Sequence, residues 1–431
     1  MIGIERFVAY RMTIFDKSSF TGYILKFAIA AIALSVAVMI ISTSVISGFK
    51  NEISYKMFDF WGHIVINDAR ASQEYELIPI ENAVEIMTDV LSINRIDEFL
   101  QPALNENGYI TASCNSGVKK VYPFSVLPSL ITTKEEEFDG LLLKGIEKEF
   151  NSDVLNEYKT QGSVINLNQE GPMRELFISD QTAKRMKLEV GENFILNFIL
   201  GETTEKKRFS VAGIYKSGLE EFDRRFAFID HRWISDIKGW DPGQYSHIEV
   251  HIEDLDNLET IDEYIKIERL PSYLISESIK SRSSEIFQWL EYQNINEWLT
   301  LTLMTLVGIF NMITAFLIFT LERTRMIGLL KSLGATDWAI RKIFLLSSGF
   351  ILLRGTIFGV VIGLSICLLQ KWTGILKLSE KDYYLSEVPI EINIYVVLFI
   401  ATASAFITLI FLILPSSIIS RISPVSALHF K

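Results

Sequence analysis

Four stretches of the chain lack the polar positions that a water-facing element needs. Residues 27–47, 298–321 and 392–415 carry no charge, and residues 343–369 carry one, Arg354. About 20 apolar residues in a helix cross the roughly 30 Å of hydrocarbon in a bilayer. The pattern therefore predicts four transmembrane helices, at 27–48, 298–321, 343–369 and 392–415. The first is longer than the h-region of a secretory signal and has no small-residue cleavage pattern before Gly48-Phe49-Lys50, so it reads as a retained signal anchor.

Between the first two runs, residues 49–295 alternate between strand-like and helix-like patterns. Short β-branched or aromatic stretches predict strands at 63–67, before Asn107-Gly108, and at 140–145, 162–167, 194–200, 209–215, 226–230, 247–252 and 273–276. Apolar spacing predicts helices at 81–91, 179–187 and 258–269. Ser179 or Asp180 suits an N-cap, and Gly191 lies just past that helix. These elements suggest a βαβ-type module over 50–107 and 209–280, interrupted by a β-rich insert over 108–208. A stalk at 281–297 would follow. Ser284–Glu297 continues helical spacing without Gly or Pro into the second span, so one helix of 42 residues from Ser284 to Arg325, roughly 60 Å long, is expected there. The fold class expected is an α-helical membrane protein with four transmembrane helices and a large α+β extracytoplasmic domain inserted between helices 1 and 2.

Charge sets the orientation. Lysine and arginine dominate residues 1–26, the loop 322–342 and the tail 416–431, whereas 371–391 holds three Lys against four acids. The positive-inside rule places the first three segments in the cytoplasm and 371–391 outside. Residues 50–295 hold 26 Lys+Arg against 43 Asp+Glu, a net of −17, so the acidity of the whole chain (net −11) belongs to the outer domain. That balance argues against a nucleic-acid partner. Two cysteines, one inside an apolar run, exclude a disulfide framework.

Candidate chemistry is sparse. His247, Glu249 and His251 share one face of a strand. No further clustered ligand accompanies them, which favours an ordinary polar face, with Ile248, Val250 and Ile252 turned to the core, over a metal site. The chain has no G-x-x-x-x-G-K-[ST], no H-E-x-x-H and no G-x-S-x-G. No catalytic residue, no metal ligand set and no cofactor of its own are expected. Inside the spans, Gly355, Gly359 and Gly363 form a small-residue stripe suited to close helix packing. Arg354 beside it suits snorkelling or a structural pairing better than substrate contact.

The loop between the second and third spans carries the strongest signal. Residues 321–345 read LERTRMIGLLKSLGATDWAIRKIFL. Leu329, Leu330 and Leu333 give an apolar face, Gly334 is a natural helix stop, Thr336 is an N-cap candidate and Asp337 suits the first turn of the next helix. The residues alone fit two roles equally: a membrane-surface helix with snorkelling basic residues, or a docking element for a soluble partner. Glu322, Arg323, Arg325, Ile327, Gly328, Leu330, Lys331, Leu333, Gly334, Ala335 and Thr336 match the pattern Glu-Arg-x-Arg-x-Ile-Gly-x-Leu-(Lys/Arg)-x-Leu-Gly-Ala-(Ser/Thr) of the FtsX-like and MacB-like ABC transporter permeases, which the stretch resembles. Phe7-Val8-Ala9-Tyr10-Arg11 and the Ser44–Phe49 stretch SVISGF are similar to the lipoprotein-releasing, LolC/LolE-type branch, and the tail Ser423–Leu428 resembles the closing Pro-Val-x-Ala-Leu of the wider family.

The resemblance implies a bacterial inner-membrane permease subunit, multi-pass, with both termini cytoplasmic and no enzymatic activity of its own. It implies that Glu322, Arg323, Arg325, Gly328, Leu330, Leu333, Gly334, Ala335 and Thr336 form a coupling helix seated on a cytoplasmic ABC ATPase, two copies of which bind ATP for the complex. A second permease chain, a lipoprotein substrate and a periplasmic carrier follow as partners in the bilayer, working by mechanical transmission. Ser47, Phe49 and Trp298, near the outer ends of spans one and two, are then candidates to line an acyl-chain cavity. Two related arrangements share the architecture: a MacB-like exporter of peptides or small amphiphiles, and an FtsX-like signalling subunit acting on cell-wall hydrolases.

Overall fold

The structure, a computed structural model, describes residues 7, 9, 20–71, 77–102, 109–148, 150, 152–169, 171–200, 203–379, 383 and 385–421. The closing 423–428 stretch and most of 7–11 lie outside the described residues. The chain divides into two compact units.

The helical unit comprises the chain up to Glu52, Gln288–Lys377 and the residues from Glu387 on. It is built on four helices long and apolar enough to cross a membrane: Phe20–Trp61, Ser284–Glu322, Asp337–Thr373 and Ile394–Phe411 with its short continuations. Three of them outrun the apolar stretches, the third running Asp337–Thr373 beyond the expected 343–369. The first helix continues through Lys50–Trp61, and the second starts at Ser284 and ends at Glu322, three residues before the expected Arg325. Ile32, Val36, Ile40, Met312, Phe316 and Phe344 form the buried centre of the bundle. Close packing there depends on the absence of side chains. A Cβ on Gly355 would lie 2.8 Å from the Ile32 side chain, one on Gly359 2.7 Å from the Ala33 carbonyl oxygen, and one on Gly363 3.2 Å from the Ala37 Cα. Gly48 does the same for the strap before the fourth helix. Its Cβ would sit 2.5 Å from the Pro389 carbonyl oxygen, and the Glu391 N–H donates to the Ser44 carbonyl at 3.1 Å.

The sheet unit comprises Ile53–Phe287 with Leu378–Ser386. Its strands are β1 (Ile64–Asp68), β2 (Ile96–Pro102), β3 (Tyr109–Cys114), β4 (Val118–Thr132), β5 (Phe138–Ile146), β6 (Lys159–Gly162), β7 (Glu175–Ser179), β8 (Asn193–Leu200), β9 (Thr203–Tyr215), β10 (Phe226–Asp230), β11 (His247–Ile252) and β12 (Leu274–Ser278). Ten of them form one mixed sheet in the order β12-β1-β11-β4-β5-β10-β7-β9-β6, with β8 bridging β4 and β9, and β2-β3 form a separate ribbon. The sheet runs straight across the boundary expected between module and insert. The reason is β4, which pairs with β11 over Val118–Phe124 and with β5 over Phe124–Thr132.

Pattern reading passes over β4 because it contains Pro123 and Pro128, and proline cannot donate to a ladder. Both prolines fall where a donor is dispensable. Pro123 precedes the first β5 partner, at Phe124, and Pro128 lies between the last β11 partner at Phe124 and the first β8 partner at Ser129. The strand expected at 162–167 is not formed: β6 ends at Gly162 and residues 163–167 carry no strand.

Candidate functional site

The second and third long helices are joined by an elbow whose geometry follows from its sequence. The helix Thr324–Ser332 ends in a Schellman arrangement: the Ala335 N–H reaches back to the Leu330 carbonyl and the Gly334 N–H to the Lys331 carbonyl, both at 3.0 Å. That closure needs a left-handed residue, and Gly334 supplies it at φ +90°. Thr336 then caps the third long helix, its hydroxyl accepting from the Ala339 N–H at 3.3 Å. Asp337, in the first turn, pairs with Lys331 at 2.9 Å.

The last described turn of the chain braces the elbow. The Lys331 ammonium donates to the Ser420 carbonyl at 3.2 Å, and the Arg341 guanidinium donates to the Ser420 hydroxyl at 2.6 Å. Ile327, Gly328 and Ile340 are buried beneath, and the Phe319 and Phe344 rings meet edge-on at 5.4 Å. Outward, the elbow leaves large apolar groups in the open: Leu329 is 54% exposed, Leu333 76% and Trp338 66%.

The structure thus gathers Glu322, Arg323, Arg325, Gly328, Leu330, Leu333, Gly334, Ala335 and Thr336 onto one continuous elbow. They divide by burial. Gly328 faces the bundle and Leu330 packs against its core, whereas Glu322, Arg325, Leu333, Gly334 and Thr336 are exposed. Trp338 was not among the residues the sequence singled out, although a tryptophan in the first turn of a helix after a glycine stop is a visible signal. Ser420 has no such signal, because its role depends on contacts with residues 79 and 89 positions away.

The substrate-cavity candidates are less connected. Ser47 and Phe49 are half-buried and Trp298 is exposed. An open groove of about 500 Å³ in the helical unit is lined instead by Tyr23, Phe27, Asn311, Thr314 and Ile318, among others.

The sheet unit holds a second concentration of chemistry, and it corrects the reading of His247, Glu249 and His251 as an ordinary polar face. Both faces of β11 are covered. Glu249 is 1% exposed and forms an ion pair of 2.7 Å with Lys144, which is fully buried. The Lys144 ammonium also donates to the Phe60 carbonyl at 2.6 Å. It lies 4.6 Å from the Phe124 ring centroid, 5.2 Å from that of Phe150, 5.5 Å from Trp61 and 5.6 Å from Phe60. Burial draws the Lys144 ammonium below the usual lysine range, with Glu249 opposing. Burial, the largest single influence, works to raise the Glu249 carboxyl, but Lys144 and His251 together outweigh it, so it stays an anion below the usual carboxylate range.

Two neighbouring histidines are held neutral. Burial, with Arg282 and Lys144 nearby, lowers His247 to about 3. Burial, with His251 and Lys119 nearby, lowers His63 to about 4. Among the described residues no group of three or more His, Cys, Asp and Glu side chains is arranged to hold a metal ion.

Residues 298–424 match a protein family described as FtsX-like permease C-terminal, and the whole elbow lies inside that segment. Nearly the full chain is similar to the lipoprotein-releasing system transmembrane protein LolC of Xylella fastidiosa, at 22% identity over 435 residues and 96% of each chain. It is similar to the lipoprotein-releasing system transmembrane protein LolE of Haemophilus influenzae at 20% identity over 434 residues, again 96% of each. Among solved structures, the periplasmic region of MacB from Actinobacillus actinomycetemcomitans gives a TM-score of 0.34 at 11% identity, covering 52% of this chain and 91% of that one.

Proposed function

We propose that this chain, whose residues 298–424 match the FtsX-like permease family, is the membrane subunit of an ATP-driven complex that extracts lipoproteins from a bacterial inner membrane and passes them to a periplasmic carrier. The observation that carries the reading is the elbow. Leu329, Leu333 and Trp338 stand exposed around the Gly334 stop on a backbone fixed by two caps and braced through Ser420. Apolar knobs held on a rigid turn suit insertion into the groove of a soluble partner. In this reading the partner is a cytoplasmic ABC ATPase, present in two copies, and it rather than this chain binds and hydrolyses ATP. Both termini and the elbow are cytoplasmic, and the sheet unit is periplasmic.

A second permease chain, identical or related, completes the membrane assembly. Closure of the ATPases on ATP would tilt the first and second long helices and so move the periplasmic domains. The names of the LolC and LolE relatives, which cover 96% of this chain, support lipoprotein release over peptide export or cell-wall signalling. Ser47, Phe49 and Trp298 are assigned to the outer rim of the acyl-chain path.

The experiment is co-purification from membranes of the Leu333→Asp/Trp338→Asp variant beside the native chain. The expected result is normal membrane insertion of the variant with its ATPase lost and lipoprotein release abolished. Retention of the ATPase at native stoichiometry would rule out the elbow as the docking element.

A further inference from the structure

Lys144 and Glu249 raise a question that stability alone does not answer. A buried ion pair replaced by apolar residues of similar volume leaves stability near its starting point or raises it, because desolvation of two charges cancels most of their attraction. Removing only one partner strands the other. The pair is therefore better understood by what it fixes in place. Lys144 stands on β5, Glu249 on β11, and the two strands flank β4 on opposite sides. The third participant is the Phe60 carbonyl, in the last turn of the first long helix, where carbonyls have no intrahelical partner. A cation at that end also meets the negative pole of the helix.

The same turn is closed in on every side. The Trp61 and Phe60 rings pack against Lys144, and Phe60 meets Phe222, Phe226 and Phe228 at 4.5, 5.5 and 5.4 Å. Gly62, at φ +74°, turns the chain so closely over β11 that a Cβ there would lie 3.0 Å from the Glu249 Cβ. The His63 N–H then enters the sheet, donating to the Val250 carbonyl at 2.9 Å.

We infer that Lys144 is a positioning residue: through the Phe60 carbonyl on one side and Glu249 on the other, it locks the end of the first long helix to the sheet, so that movement of that helix is delivered to the periplasmic domain. The inference rests on the coupling reading above.

The test compares Lys144→Met with the double variant Lys144→Met/Glu249→Met in the assembled complex. Three quantities are read: thermal unfolding, ATP turnover and lipoprotein release from proteoliposomes to an acceptor. A fourth, amide exchange of β1 and β11 with and without a non-hydrolysable ATP analogue, reports domain movement whatever the cargo. The single variant should be destabilised. The double variant should regain native thermal stability and keep its ATP turnover, while release per ATP falls roughly tenfold, within the usual range of coupling energies, and the ATP-dependent exchange change is lost. Native release, or a native exchange response, in the stable double variant would overturn the inference. So would a double variant as unstable as the single, since the pair would then be a stability element. If the native complex responds to ATP by exchange but releases no lipoprotein, the cargo assignment fails and the joint is still judged by exchange.

Discussion

At the elbow, Leu329, Leu333 and Trp338 are large apolar groups left in the open, whereas at Lys144 and Glu249 two charges are shut away from water. Both arrangements run against the ordinary sorting of residues by polarity. They differ in how they are held. The turn of the elbow is set locally, through a Schellman closure and an N-cap that span Leu330 to Ala339, and Ser420 only braces a turn already formed. The ion pair joins residues 105 positions apart and has meaning only once the sheet is assembled. A local turn can present groups to a partner, while a non-local contact can tie one element to another.

The largest effect expected from breaking this contrast is at Gly334. Proline cannot adopt φ +90° and removes the N–H that reaches the Lys331 carbonyl. Gly334→Pro should leave the chain inserted in the membrane while ATPase co-purification becomes undetectable. Next comes Lys144→Met alone, which strands the Glu249 anion. It should lower the unfolding free energy of the sheet unit by about 3–5 kcal/mol, read by thermal or denaturant unfolding in detergent.

The third is a pH effect in the same region. His63 and His247 titrate at about 4 and about 3 in the folded chain, below the ordinary histidine value of 6.5. The unfolded chain thus takes up protons first as pH falls. Stability should be full above pH 6.5 and decline from there towards pH 3–4, by on the order of a few kcal/mol. His247→Gln should flatten the slope; an unchanged slope would show that this histidine is not held neutral. The smallest effect lies in the helical unit, where Gly359→Leu drives a side chain into the Ala33 carbonyl and Val36. Overpacking of that kind costs about 1–3 kcal/mol and should appear as a lowered melting temperature of the bundle in detergent, with the sheet unit unaffected.

Much of the helical unit was legible in the sequence because its signals are local. An uncharged run marks each long helix, and Gly334 and Thr336 mark the turn where they stand. Most strands were legible too, from β-branched stretches such as 226–230 and 247–252. Sheet order was not. β1 pairs with β11 and β12, bringing Ile64 beside Val250 and Ser278, and no local pattern reports such a pairing. Proline in β4 concealed the strand that unites the sheet. The polar residues of β11 looked like a solvated face because alternation reports which residues share a face, not what covers it. Lys144 lay in plain view in the GLLLKG stretch, but a lysine becomes notable only when the aromatic rings around it are known.

The most direct test of the account is photo-cross-linking in intact membranes, with a benzophenone amino acid placed at Trp338 and, as a control, at Trp372, at the other end of the same helix and 81% exposed. The account predicts that position 338 cross-links to a protein that mass spectrometry identifies as an ABC ATPase, and that position 372 does not. Cross-linking of position 338 to lipid alone would make the elbow a membrane-surface helix and contradict the assignment of ATP coupling to this turn.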